Sequence, residues 1–104
     1  MSKEPDLSLD EAKAVVATKT APRVTEEAIK AKIASVEYAR PFNNNKMTLC
    51  VITMANGFMA LGKSAPVSEA NFDAQVGEYY AYEDAFKQLW QLEAYLLLER
   101  MTRV

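Results

Sequence analysis

Histidine is absent from this 104-residue chain, cysteine occurs once, glycine three times and proline four times. Without imidazole there is no Ser-His-Asp or Cys-His nucleophilic machinery, no usual general base near neutral pH, and little with which to build a zinc or iron site. A lone Cys50 forms neither an internal disulfide nor a paired-cysteine metal knuckle, which fits a reducing compartment. The longest unbroken apolar run, Ala94 to Leu98, is far below the ~20 residues that span a bilayer, and the opening MSKEPDLSLDEAK has no signal-peptide core. A protein that is not exported and has no membrane partner is expected. Charge is nearly balanced, with 12 basic and 14 acidic side chains and no basic stripe, which disfavours DNA as a partner.

Half of the residues are apolar, and a chain of this size buries roughly two-thirds of the surface its unfolded form exposes, enough for one core without metal or disulfide. Residues 1–23 are polar, with Pro5 and Pro22 flanking a short apolar stretch around Val15 and Val16, and read as an N-terminal arm. Ser8 and Glu11 have capping-box spacing, so a helix of about two turns is expected from Leu9. Residues 24–104 read as a single α+β domain. Thr25 is placed to cap a helix running to about Ala34, with Glu26 and Glu27 in its first turn and Ile29 and Ile33 on its buried edge. Alternation then predicts a strand from Ser35 to Arg40, ended by a loop at Pro41 and Asn43 to Asn45.

MTLCVITMA, Asn56-Gly57 and FMALGKSA read as a β-hairpin, because Asn-Gly is the favoured pair for a type I′ turn. A two-residue turn places Cys50, Ile52, Met54, Met59 and Leu61 on one face and Leu49, Val51, Thr53, Phe58, Ala60 and Gly62 on the other. Neither face is polar, so helices are expected to cover one and a second subunit or a ligand the other. After Pro66, Ser68 begins a helical region whose bulky apolar stripe runs through Phe72, Val76, Tyr79, Phe86, Trp90 and Leu97. Its length suggests two helices meeting at a bend near Gln88 to Gln91. Glu83 and Glu93 fall on the stripe and need partners there. Gly77 marks a close approach of another segment. The expected fold is thus a three-stranded antiparallel sheet with one helix before it and two C-terminal helices on one face, in an oligomer.

Gly57 to Ser64 match the P-loop pattern literally, but FMAL continues a strand and Ala65-Pro66 follows where a P-loop needs a helix. Glu83 and Glu93 lie about 15 Å apart on a straight helix, too far for paired acid-base work. Cys50 reads as packing. Tyr79, Tyr80, Tyr82 and Tyr95 fall on several sides of the helical region and cannot all be buried in a monomer. Aromatic rings beside Asn56, Phe58 and Asn71 would make a wall suited to a purine, because a stacked base is worth roughly 1–3 kcal/mol and an amide reads base edges and ribose hydroxyls.

Asn56-Gly57-Phe58, Gly62-Lys63-Ser64, Asn71-Phe72-Asp73 with Gly77, Glu83, and Trp90-x-Leu92-Glu93-x-Tyr95-Leu96-Leu97 together resemble the small phage proteins of the gene-product-forty-nine/sixty-six family. The resemblance covers about Val24 to Met101. Gln91 stands where proline commonly follows the tryptophan, and Ala94 where glycine commonly precedes the tyrosine. That family is similar to the Thoeris anti-defence 1 signal sponges. The resemblance implies an antiparallel sheet with two C-terminal helices, assembly into a dimer or a trimer of dimers, and capture of a cyclic ADP-ribose-type signal, uncleaved, at subunit interfaces. It also implies separate sites for cyclic di- or trinucleotides in some members. On that reading the protein is no enzyme, needs no cofactor, works in the cytoplasm of the infected bacterium, and sequesters a host nucleotide signal. The candidate ligand contacts are Phe58 for stacking, Asn56 and Asn71 for hydroxyls and base edges, and Lys63, Lys87 and Arg100 for the pyrophosphate, with Glu83 orienting a cation. The competing reading is a phage accessory factor that binds a host protein through its oligomer face or its N-terminal arm.

Overall fold

A computed structural model describes residues 5–17, 21–41 and 46–103. Helix α1 (Leu9–Ala17) and helix α2 (Glu26–Lys30) precede strands β1 (Ile33–Ala39), β2 (Thr48–Met54) and β3 (Met59–Ser64), and a 3-10 turn over Glu69–Asn71 leads into helix α3 (Ala74–Thr102). The three strands form one antiparallel sheet in the order β1-β2-β3. The fold is therefore α+β, as the sequence predicts. The expected loop at Asn43 to Asn45 lies outside the described residues.

Local signals act where the sequence places them. Ser8 and Glu11 exchange both capping-box bonds, at 3.1 and 3.0 Å, so α1 begins at Leu9 although it buries nothing. The Thr25 side chain accepts from the Ala28 amide at 3.1 Å, and Ile29 is fully buried. Helix α2 stops at Lys30 rather than near Ala34, and β1 starts earlier than expected, because Ala55 donates to the Lys32 carbonyl and draws the chain into the sheet there. Ser68 caps only the 3-10 turn, and Asp73 caps α3 by accepting from the Val76 amide.

The hairpin forms, but its register differs from expectation. Met54 donates to the Phe58 carbonyl, Gly57 donates to the Met54 carbonyl, and Gly57 has φ +92°, so the loop holds three residues, Ala55 to Gly57. Thr53 then pairs with Met59, Ile52 with Ala60 and Cys50 with Gly62. One extra loop residue moves every β3 side chain to the opposite face. Ala60 and Gly62 join Cys50, Ile52 and Met54 under the helix, while Met59 and Leu61 join Leu49, Val51 and Thr53 on the open face. The reason lies in α3. A Cβ on Gly62 would collide with the Ala81 carbonyl oxygen and the Ala85 amide nitrogen, so only glycine on the inner face lets the helix lie this close.

Two further expectations are corrected by α3. It is one helix of 29 residues rather than two. Gln88 to Gln91 contain no proline or glycine, and Gln91 keeps the amide that a proline would remove, so nothing breaks the hydrogen-bond ladder. Its inward stripe is Gly77, Ala81, Ala85, Phe86 and Leu89 rather than Val76, Tyr79 and Trp90, all three of which are exposed. Small residues recurring every four positions let the helix backbone approach the sheet. Gly77 faces Thr48, where an added Cβ would lie 2.7 Å from Oγ1. That hydroxyl is fully buried and has no hydrogen-bond partner among the described residues.

Candidate functional site

Glu83 and Glu93 part company in the structure. Glu93 lies at the inner surface with 13% of its side chain exposed, and Lys32 donates to both of its carboxylate oxygens at 3.0 and 2.8 Å. The partner required for a half-dry carboxylate is present. Glu83 instead is exposed, on the outer flank of α3 beside β3.

That flank carries a cleft with polar walls. Lys63 from β3 and Tyr80, Glu83, Lys87 and Trp90 from α3 line a volume of about 480 Å³. The four helical residues are spaced three, four and three apart and so share one face. Two lysines and two carboxylates, Glu83 and Asp84, bring both signs to the cleft. Asp84 is committed to the fold, since its carboxylate accepts from the Lys63 amide at 3.0 Å and so fixes the strand from which the Lys63 side chain projects. Tyr82 stacks on Phe86, with ring centroids 5.6 Å apart, and Phe86 meets Trp90 edge-on at 6.2 Å. Trp90 is thereby braced from the core side while 38% of its surface stays exposed.

Phe58 and Asn56 sit elsewhere, at a cleft of about 450 Å³ between the hairpin tip and α3, where Met54, Leu89, Leu92, Tyr95 and Leu96 make the walls predominantly apolar. The Lys32–Glu93 pair also borders it. The Asn56 side-chain oxygen accepts from the Phe58 amide at 2.9 Å, so part of its hydrogen-bonding capacity stabilises the turn. Asn71 lies in the 3-10 turn, and Arg100 is thirteen residues beyond Lys87, about 20 Å along the helix. Neither lines either cleft. The predicted contacts thus divide: Lys63, Glu83 and Lys87 come together, Asn56 and Phe58 come together, and Asn71 and Arg100 join neither group.

Tyr80 and Trp90 were not among the predicted contacts. Their three-four-three spacing with Glu83 and Lys87 is the signal that finds them, once the helical stripe is drawn through small rather than bulky residues.

Among the described residues no group of three or more Cys, Asp or Glu is arranged to hold a metal. Burial raises the thiol pKa of Cys50, so this sulfur stays protonated and packs. Tyr38 and Tyr82 are likewise shifted upward, chiefly by burial. Gly62-Lys63-Ser64 runs inside β3 with no helix starting at it, so the P-loop pattern is coincidental. No described helix is long and apolar enough to cross a membrane.

Residues 24–101 match the family described as Phage protein (N4 Gp49/phage Sf6 gene 66) family. The chain belongs to that family. No curated protein and no solved structure matches it.

Proposed function

We propose that this phage-family protein binds and sequesters a cyclic nucleotide immune signal of the infected host, of the cyclic ADP-ribose type or a cyclic oligonucleotide, without cleaving it. The single observation that carries the reading is the convergence of Lys63, Lys87 and Glu83 with the rings of Tyr80 and Trp90 on one cleft. Each part of a nucleotide has a counterpart there. Ammonium groups suit phosphate oxygens, a carboxylate accepts from ribose hydroxyls, and an exposed indole offers a face to a base. A purely anionic ligand would be repelled by Glu83 and Asp84, whereas one that carries hydroxyls beside its phosphates suits both signs. The volume lies within the range of small-molecule sites. Sequestration needs no catalyst: a nanomolar dissociation constant, on the order of −12 kcal/mol, with protein in excess leaves little free signal.

Subunit association is part of the proposal. Beyond Glu93, the exposed Tyr95, Leu96, Leu98 and Met101 make α3 apolar on most sides, as expected of a helix that is covered in its working state. Titration calorimetry with cyclic ADP-ribose isomers and cyclic di- and trinucleotides tests the binding. Heat and a raised melting temperature for at least one ligand, both lost in Lys63→Glu and Lys87→Glu, support it. No heat from any ligand would sink it.

A second reading, docking of a host protein segment, is favoured by the apolar cleft bordered by Phe58, Leu92 and Tyr95. Loss of host-protein capture in Leu92→Glu with nucleotide binding unchanged would place that activity there.

A further inference from the structure

The two edges of the sheet are treated differently. Met54 donates to Phe58, so the even-numbered residues of β2 direct their backbone groups at β3 and the odd-numbered ones theirs at β1. It follows that Met59, Leu61 and Lys63 turn their amides and carbonyls outward along the β3 edge, and Val36 and Tyr38 do so along the β1 edge. On β3 two of the outward groups are already used. Gln88 donates to the Leu61 carbonyl, and Asp84 accepts from the Lys63 amide. These two side chains, one helical turn apart on α3, stand in for a fourth strand and block further pairing. On β1 no described side chain caps Val36 or Tyr38. This seven-residue edge contains no proline or lysine, and Val36 and Tyr38 remain 36% and 41% exposed.

We propose that β1 is the edge at which a second copy of this chain adds, antiparallel about a two-fold axis beside Val36, to give a continuous six-stranded sheet. The strand is self-complementary in that register. Val36 is the midpoint of Ile33–Ala39, so pairing Val36 with the partner subunit's Val36 overlaps the two strands end to end, with Ser35 to Glu37 at the regular centre and the register shift between Ile33 and Ser35 toward the ends of the overlap. The same register sets residues with outward backbone groups against one another and places Glu37 opposite the partner subunit's Ser35. Sliding by two residues to centre on Glu37 would oppose two carboxylates, which is unfavourable for a directly facing pair. Val36 and Tyr38 lie on the helix side of the sheet, since they pair with Ile52 and Cys50, so joining the edges would bury them in a seam between the two copies. The inference rests on the association part of the proposed function and not on the identity of the ligand.

Sedimentation of the full chain and of Val36→Pro tests it. A proline at an outward-facing amide leaves the ladder to β2 intact and removes the bond to the partner. The wild-type protein is expected to sediment as an even-numbered assembly, and Val36→Pro at half that mass with an unchanged far-ultraviolet spectrum. Independently of how the proline variant folds, Val36→Cys is expected to cross-link between copies under mild oxidation, since hydrogen-bonded antiparallel neighbours lie about 5.5 Å apart at Cα. Met59→Cys on the blocked edge is expected not to. A well-folded Val36→Pro that keeps the wild-type mass, cross-linking through Met59→Cys but not Val36→Cys, or a monomeric wild-type chain would each overturn the proposal. Nucleotide heats measured on the same samples report on the cleft separately, so failure at the edge is distinguishable from failure of sequestration.

Discussion

Helix α3 is two regions in one element. From Gly77 to Glu93 it spans about 24 Å, which is the length of a seven-residue strand, and there it turns small residues inward against the sheet. From Ala94 to Thr102 it runs about 13 Å further and leaves Tyr95, Leu96, Leu98 and Met101 about half exposed. The same backbone thus sets Gly77, Ala81 and Ala85 against the sheet, with Phe86 and Leu89 buried beside them, and leaves most of its outer leucines exposed. The contrast teaches that side-chain size falls where the helix backbone comes closest to the sheet, at Gly77, Ala81 and Ala85, and is not limited in this way beyond Glu93, where Tyr95, Leu96, Leu98 and Met101 are exposed.

The comparison breaks most visibly at Gly62. Gly62→Val puts a branched side chain into the α3 backbone at Ala81 and Ala85, and we expect a loss of about 3 kcal/mol or more, read as a lowered urea midpoint. At the junction of the two regions, Lys32→Met leaves the largely buried Glu93 carboxylate without its partner. Because Lys32 itself is 44% exposed, the expected loss is about 1–2 kcal/mol, checked by a double-mutant cycle with Glu93→Gln. Inside the dry half, Thr48→Val removes a buried hydroxyl that has no partner among the described residues and is expected to stabilise by up to about 1 kcal/mol in thermal unfolding. In the outer half, Leu96→Glu should alter the stability of an isolated subunit by no more than about 0.5 kcal/mol while lowering the assembly mass in light scattering.

The smallest effect concerns α1, which has no buried residue. Hydrogen bonds from the Ser8 backbone and side chain hold the Glu11 carboxyl below its ordinary value. A depressed carboxyl contributes its stability above the unfolded pKa and loses it as pH falls through the folded one. Amide shifts from Leu9 to Ala17 should therefore move toward coil only as the pH drops below about 4. Unchanged shifts down to pH 2 would show that the capping box does not hold this helix.

Short-range features were legible because neighbours in sequence decide them. The caps at Ser8 and Thr25 and the hairpin at Asn56-Gly57 needed no tertiary information. The register of β3 was not legible, since Asn-Gly serves both a two-residue turn and a three-residue loop with Gly57 at positive φ. What selects between them is the fit of Gly62 under a helix about twenty residues away. The inward stripe of α3 was hidden for a related reason. Bulky residues mark a buried face only when there is room for them, and here Gly77, Ala81 and Ala85 make the contact. The candidate cleft inherited that error. Lys63, Glu83 and Lys87 were named from their chemistry, but placing Trp90 and Glu83 on the dry stripe concealed that they face the same opening as the two lysines.

The most direct test of sequestration is a mass spectrum of the small molecules released on denaturing the protein after purification from cells with an active nucleotide-signalling defence. The account predicts an intact cyclic nucleotide, recovered from the wild-type protein and lost from Lys63→Glu and Lys87→Glu. Recovery of no nucleotide, or only of cleaved product, would contradict it.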